Sequence, residues 1–145
     1  MFKKWYNSEI LSLIFIITLL IGCFMPYLNI IFENEVVFTW TAREYIGTIF
    51  LAGVIMLICL FYGYFKDKRR ISAIGIFLMN LLVLVSLSWE LFNYFFASDQ
   101  YLREHLVFSI GFYLILISFC GLIIANLWQA IEIYKQKKSK NKSRV

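Results

Sequence analysis

Five polar residues are the strongest candidates for a chemical function in this sequence: Glu90, Asn93, Arg43, Arg103 and His105. Glu90 ends an apolar run and shares one helical face with small residues, so it is predicted to point toward neighbouring helices. Because burial of an unpaired carboxylate is costly, we expect Glu90 to pair with Arg43 or Arg103, with Asn93 as a second partner. Such a pair would be a salt bridge that ties helices together or, alternatively, a proton- or ligand-binding site.

Histidine, cysteine and loop motifs give little support to an enzyme. His105 is the only histidine, and it lacks the further ligands at defined spacing that a catalytic zinc site needs. Cys23, Cys59 and Cys120 lie within apolar runs and form no Cys-x-x-Cys motif, so they are expected to behave as small apolar residues. No Gly-x-Ser-x-Gly, Walker or dinucleotide motif is present. The sequence predicts a protein without enzymatic activity, metal or cofactor.

The composition indicates a membrane protein. Of the 145 residues, 61% are hydrophobic and 16% are charged, whereas about 25% of residues are charged in a typical soluble domain. Four apolar runs are each long enough to cross a hydrocarbon core of about 30 Å as a helix, and they cover residues 10–28, 46–65, 71–91 and 106–131. The predicted fold is an all-α integral membrane protein, with four transmembrane helices in an antiparallel up-down bundle over residues 1–134.

The basic residues predict the orientation of these helices. All of the 14 Lys and Arg residues except Arg43 and Arg103 precede the first run, separate the second from the third, or follow the fourth. Cytoplasmic segments carry this excess, so both termini are expected in the cytoplasm. Residues 135–145 then form a basic, mobile tail that anchors the topology or, alternatively, binds anionic membrane lipid. The basic residues do not alternate with exposed aromatic residues, so no nucleic-acid binding is expected.

The loop between the first two runs contains two β-prone segments. Residues 30–32 and 35–40 are rich in β-branched and aromatic side chains and flank the polar pair Glu33-Asn34. This pattern predicts a short β-hairpin on the outer side of the membrane. Phe38 and Trp40 in its second arm are candidate contacts for a protein partner, and their alternative role is anchoring at the membrane interface.

Small residues predict where the helices contact one another, because close approach of backbones drives helix association in lipid. On the fourth helix, four such residues fall on one side: Gly111, Ser118, Gly121 and Ala125. These faces are expected to pack a bundle or, alternatively, to join subunits of a homo-oligomer. Asn80 and Asn126 lie at equal predicted depth, which would allow a hydrogen bond between their amides.

The sequence has three partial resemblances to known signals or protein classes. Residues 20–23 resemble a bacterial lipobox, but apolar residues follow Cys23, so this segment is interpreted as a span and not as a cleaved signal. The number of helices and the β-prone first loop resemble those of claudin-like tetraspans. This sequence lacks the Trp-Gly-Leu-Trp motif and the paired loop cysteines of that family. Small multidrug-resistance transporters carry a carboxylate midway through their first span. In this sequence the nearest carboxylate, Glu9, lies at the inner edge of the first span. No family follows from these resemblances.

Two classes of function stay open. The first hypothesis is an accessory or partner-binding protein, for example an immunity factor, that acts through the outer loop. The second is an oligomeric channel, a holin-like pore or a small transporter, with the small-residue faces as subunit seams. An intramembrane enzyme that uses Glu90 and His105 is the weakest alternative. The abundance of Ile, Phe, Leu and Lys is typical of low-GC Gram-positive bacteria, which suggests a bacterial plasma membrane.

Overall fold

Four long apolar helices form most of the chain that the structure describes. The computed structural model describes residues 4–41, 47–96 and 106–145. Within these ranges the elements are, in chain order, α1 (Asn7–Phe24), β1 (Pro26–Phe32), β2 (Glu35–Thr41), α2 (Gly47–Lys66), α3 (Arg69–Phe96), β3 (Leu106–Phe108) and α4 (Ile110–Ser143). Each helix is long and apolar enough to cross a membrane, as the sequence predicts.

The first helix is shorter at its carboxyl end than the sequence predicts. α1 ends at Phe24, and Met25 is extended, with φ −83° and ψ 159°. Pro26 explains this end, because a proline disfavours the helical conformation of the residue before it and has no amide hydrogen for the helix. The prediction of a span over residues 10–28 is therefore wrong for its last four residues, and Tyr27 and Leu28 are buried strand residues.

The predicted hairpin is confirmed, and its strands are longer than the two β-prone segments 30–32 and 35–40. β1 and β2 pair antiparallel, with Phe32 opposite Glu35 next to the turn. The two turn residues, Glu33 and Asn34, have φ values of 49° and 67°. Positive φ at both central residues is typical of the two-residue turn whose twist matches that of a hairpin.

A third strand lies where the sequence predicts the start of the fourth span. β3 pairs antiparallel with β1, with Phe108 opposite Leu28, and the order of the three-stranded sheet is β2-β1-β3. Residues 106–108 are apolar, and hydropathy alone does not distinguish a short apolar strand from the end of an apolar helix. The predicted span 106–131 is corrected accordingly, because α4 begins at Ile110 with Ser109 at its N-cap. The Ser109 amide donates to the Tyr27 carbonyl oxygen at 2.9 Å, which fixes the start of α4 on β1.

The helices contact one another through small and aliphatic residues. α1 packs along α4 and α2 along α3, and further contacts join α1 to α2 and α3 to α4. A methyl group added at Gly121 would meet the Phe15 ring, and one added at Gly63 would meet the Ser72 side chain. The buried core between the helices is mainly aliphatic and includes Ile16, Leu19, Ile49, Met56, Ile76, Ile115 and Leu122.

The outer surface of the helices is also apolar. Ile58 on α2, Val85 on α3 and Ile124 on α4 are each more than 60% exposed. Exposure of such a continuous apolar surface to water is unfavourable, whereas its contact with lipid acyl chains is not. α4 extends beyond its apolar part, because residues 135–143 of the basic segment continue the helix to Ser143 with exposed side chains.

Candidate functional site

The residues predicted to form an outer polar site are only partly described. Glu90 is a half-buried residue of α3, and Asn93 on the same helix is exposed. Arg43, Arg103 and His105 lie outside the described residues. The pairing of Glu90 with one of these arginines therefore stays a prediction, and so does any role for His105.

The predicted partner contacts lie on an edge strand. Phe38 and Trp40 belong to β2, which is at one edge of the sheet. Their backbones pair with β1, Phe38 opposite Ile30 and Trp40 opposite Leu28. Their side chains lie outside the part of the chain that the structure describes.

The small residues predicted on the fourth helix lie between α4 and its neighbours. Gly111, Ser118, Gly121 and Ala125 are all buried. A methyl group added at Gly22 of α1 would lie 3.3 Å from the Gly111 carbonyl oxygen, so the two helices are in close contact here. The Ser118 hydroxyl donates to the Leu114 carbonyl oxygen of its own helix at 2.7 Å, so it needs no partner on another helix.

A buried ion pair lies at the end of the helices opposite the sheet. Glu9 in the first turn of α1 is 1% exposed, and Arg69 at the start of α3 is 8% exposed. Nε of Arg69 lies 3.3 Å from Oε1 of Glu9. Oε2 of Glu9 accepts a hydrogen bond from the Tyr6 amide at 2.9 Å, so both carboxylate oxygens are engaged. The pair joins the N-terminal end of α1 to the N-terminal end of α3.

Arg69 also holds the residues that precede α1. Its Nη2 atom donates to the Lys4 carbonyl oxygen at 2.9 Å, and its guanidinium carbon lies 3.5 Å from the centre of the Tyr6 ring. Oδ1 of Asp67 lies 3.9 Å from the same arginine. A planar guanidinium can make an ion pair, a hydrogen bond and a ring contact together, which an ammonium group cannot match.

The short connection between α2 and α3 positions Arg69. Asp67 has a φ of 55°, and the Lys68 amide donates to the Gly63 carbonyl oxygen at 3.1 Å. These features form a Schellman motif, which ends α2 and reverses the chain within two residues. The Trp5 ring stacks on Tyr64 with 4.2 Å between ring centres, so the N-terminal segment packs on this end of α2.

A second group of polar residues lies between α1 and α4 at the same end. The Ser8 hydroxyl donates to Oε2 of Glu132. Ser12, one turn later on α1, and Gln129, about one turn earlier on α4, are both fully buried. Within the described residues, the Ser12 hydroxyl and both amide atoms of Gln129 lack a hydrogen-bond partner. We call the two groups together, Ser8, Glu9, Ser12, Arg69, Gln129 and Glu132, the buried polar layer.

The buried polar layer is suited to holding helix ends together. Among the residues that the structure describes, no group of three or more His, Cys, Asp or Glu side chains could hold a metal ion. A buried charge whose partner is removed costs several kcal/mol, so Glu9 and Arg69 depend on each other. These contacts therefore hold α1 to α3 by an ion pair and α1 to α4 by a hydrogen bond between Ser8 and Glu132.

The sequence alone does not reveal this layer. It places Glu9 at the inner edge of the first span and Arg69 among the basic residues that predict the topology. A signal was nevertheless present, because Ser8 and Ser12 are four residues apart and Gln129 and Glu132 three apart. Such spacings place polar groups on one face of a helix.

Two asparagines join α3 to α4, but not through each other. Nδ2 of Asn80 donates to the Phe119 carbonyl oxygen at 3.4 Å. With its nitrogen toward α3, the Asn126 amide donates to the Ala73 carbonyl oxygen at 3.2 Å and accepts from the Phe77 amide at 3.1 Å. Each side chain therefore contacts the backbone of the opposite helix, in place of the amide–amide bond that equal depth would allow.

Comparisons with known proteins give no relative from which a role could be transferred. No protein-family model matches the chain, and no curated protein or solved structure matches it significantly.

Proposed function

We propose that this chain is a multi-pass protein of the cell membrane that binds a protein partner through its sheet and has no enzymatic activity. The four apolar helices and their apolar outer surface support the membrane location. In this proposal the helices form an antiparallel up-down bundle with both termini in the cytoplasm. The distribution of charge supports the orientation, because Lys66, Arg69 and the basic part of α4 lie at the end opposite the sheet.

The edge of the sheet is the observation that carries the partner-binding proposal. β2 pairs with β1 along one side, and no strand among the described residues pairs with its other side. An open strand edge presents backbone N–H and C=O groups with which an extended segment of another chain can pair. Glu35, Val36 and Thr39 of β2 are exposed, so an incoming strand would also find side chains to contact.

The proposed orientation puts this edge on the outer side of the membrane. An accessory role uses the edge to hold a larger membrane complex, and an immunity-type role uses it to hold a membrane-active toxin. Both roles need recognition of a protein and no reacting groups. Phe38 and Trp40 are proposed to supply the apolar contacts of this interface, because aromatic residues contribute a large share of binding energy at protein interfaces.

Site-specific photo-crosslinking in the native cells tests the proposal. A photoreactive amino acid in place of Thr39, which is exposed on β2, is expected to give one adduct with a different protein, identified by mass spectrometry. The double variant Phe38→Ser and Trp40→Ser is expected to reduce that adduct at least about tenfold, since truncation of central aromatic residues costs 2 kcal/mol or more. The amount of chain in the membrane fraction should stay unchanged.

A matched control and two contrary outcomes complete the experiment. The same photoreactive group in place of Val85, which is exposed on the side of α3, should not give this adduct. An adduct of the chain with itself at position 39 would contradict the proposal and favour an oligomeric channel or pore. The absence of any protein adduct at position 39 would also contradict it.

A further inference from the structure

A groove between α3 and α4 opens on the outer surface of the helices. Its first part has a volume of about 250 Å³ and an apolar lining, which includes Ala73 and Phe77 of α3 and Ile123 and Ala130 of α4. The depression exists because Ala73 and Ala130 are small where neighbouring positions carry large side chains such as Ile74 and Leu127. Asn126 adds a polar group to the lining, but its amide is held by the α3 backbone.

The groove continues toward the basic end of the molecule. A second part of about 490 Å³ shares Ala73, Ile74 and Ala130 with the first part and is lined in addition by Arg70, Tyr134 and Lys137. Among the described residues that line either part, none is acidic. Glu132 lies on the same helix but contacts Ser8 of α1. One continuous groove therefore has an apolar half and a half whose lining contains two cations and no acidic side chain.

We propose that this groove binds one anionic phospholipid of the membrane, an inference that rests on the proposed membrane location and not on partner binding. The acyl chain lies along the apolar half, and the phosphate lies between Arg70 and Lys137. The two alanines make room for the chain, and Tyr134 lies at the level of the headgroup, where tyrosine is enriched in membrane proteins.

The dimensions and the charge both favour this occupant. From Ala130 to Ile123 the apolar half runs seven residues along α4, about 10 Å at 1.5 Å per residue, which fits within one leaflet of about 15 Å. Lys137 lies a further seven residues along the helix, where the headgroup of the same leaflet would lie. A basic pocket between transmembrane helices attracts anionic headgroups, and each basic residue near the surface contributes a factor of about five in affinity.

Lipid binding to the purified, delipidated full chain in detergent tests the proposal. Native mass spectrometry or a fluorescence titration would compare dioleoyl-phosphatidylglycerol with dioleoyl-phosphatidylcholine. We expect tighter binding of the anionic lipid, and a rise of about 30-fold in its Kd for the double variant Arg70→Gln and Lys137→Gln. The matched variant Lys140→Gln and Lys142→Gln removes the same charge from α4 beyond the groove and should change the Kd less than threefold.

A second variant tests the apolar half without changing charge. Ala130→Leu would fill the groove, and because Ala130 is exposed the substitution should leave the helix content unchanged. It is expected to weaken binding of phosphatidylglycerol at least fivefold, whereas Ser88→Leu, at an exposed position of α3 away from the groove, should not.

Three results would overturn the proposal. They are equal affinity for the two lipids, equal losses in the two double variants, and no effect of Ala130→Leu. Because the experiment uses purified chain in detergent, its failure would leave partner binding through the sheet untouched. Failure of the crosslinking experiment at Thr39 would likewise leave the lipid groove untouched.

Discussion

The Glu9–Arg69 ion pair shows how a few charged atoms can determine which helix ends meet. Both side chains are withdrawn from solvent, and each also binds a backbone group, the Tyr6 amide or the Lys4 carbonyl oxygen. A buried pair contributes little net stability, because the cost of desolvation offsets the attraction. The pair connects the starts of α1 and α3, and an arrangement that separated the two charges would leave each of them buried without its partner.

Removal of one charge of this pair is expected to destabilise the fold. Glu9→Gln and Arg69→Gln should each lower the free energy of unfolding by about 3 kcal/mol or more, because each leaves one buried charge without its partner. Equilibrium unfolding of the purified chain in mixed detergent micelles measures this change. Lys68→Gln is the control, since Lys68 is the preceding residue and is exposed.

The double variant Glu9→Gln and Arg69→Gln distinguishes an ion pair from two independent contacts. If the charges depend on each other, the double variant should lose less stability than the two single variants together. Losses that simply add, or single losses no larger than that of Lys68→Gln, would contradict the importance of the pair.

At the scale of elements, the sequence predicts what local chemistry determines. The hairpin was predictable because the turn residues Glu33 and Asn34 and both β-prone arms lie in one short segment. The end of α1 was also marked locally, by Pro26, but the apolar run through residues 24–28 obscured it. β3 was not predictable, because residues 106–108 form a strand by pairing with β1, which is distant in sequence.

The polar residues also divide into those that the local sequence reveals and those that depend on contacts between distant segments. Glu90 is a candidate from the sequence because it is a carboxylate at the end of an apolar run. Glu9 and Arg69 lie at the ends of two helices that do not pack along each other, so their contact depends on how α2 and α4 position α1 and α3. The sequence contains the two charges but not their proximity, since Lys66, Lys68 and Arg70 lie beside Arg69 and predict the same topology.

The junction between α4 and the sheet depends on close backbone contact at Gly111. A methyl group added there would lie 2.7 Å from the Pro26 carbonyl oxygen and 2.8 Å from those of Gly22 and Met25. Backbone atoms cannot move aside as a flexible side chain can. Gly111→Ala is therefore expected to lower the free energy of unfolding by about 1–3 kcal/mol, the usual cost of overpacking.

Gly47→Ala is the matched control for this substitution. Among the described residues, apart from the helix's own nearby backbone and the chain neighbours of Gly47, no atom lies within 4 Å of a methyl group added there. The variant should therefore be neutral or stabilised by up to about 1 kcal/mol through helix propensity. Unfolding in detergent, followed by circular dichroism, compares the two variants. Equal stability of both would mean that the start of α4 is not held against the turn after α1.

At the scale of the whole molecule, the sheet and the buried polar layer lie at opposite ends of the helices. The sheet and the start of α4 lie at one end. The ion pair, the connection between α2 and α3, and the contact of Ser8 with Glu132 lie at the other. Apolar helix surfaces lie between them. This separation suits a membrane, because charged side chains and non-helical backbone are costly in contact with acyl chains.

The separation makes the orientation testable with cysteine labelling. In a background in which Cys23, Cys59 and Cys120 are replaced by Ala, Asn34→Cys reports the hairpin turn and Lys140→Cys the basic end of α4, and both positions are exposed. A membrane-impermeant maleimide added to intact cells is expected to label position 34 only, because basic segments stay in the cytoplasm. Permeabilised cells should label at both positions. Labelling of position 140 alone in intact cells would reverse the orientation, and labelling of both would contradict helices that separate the two ends across a membrane.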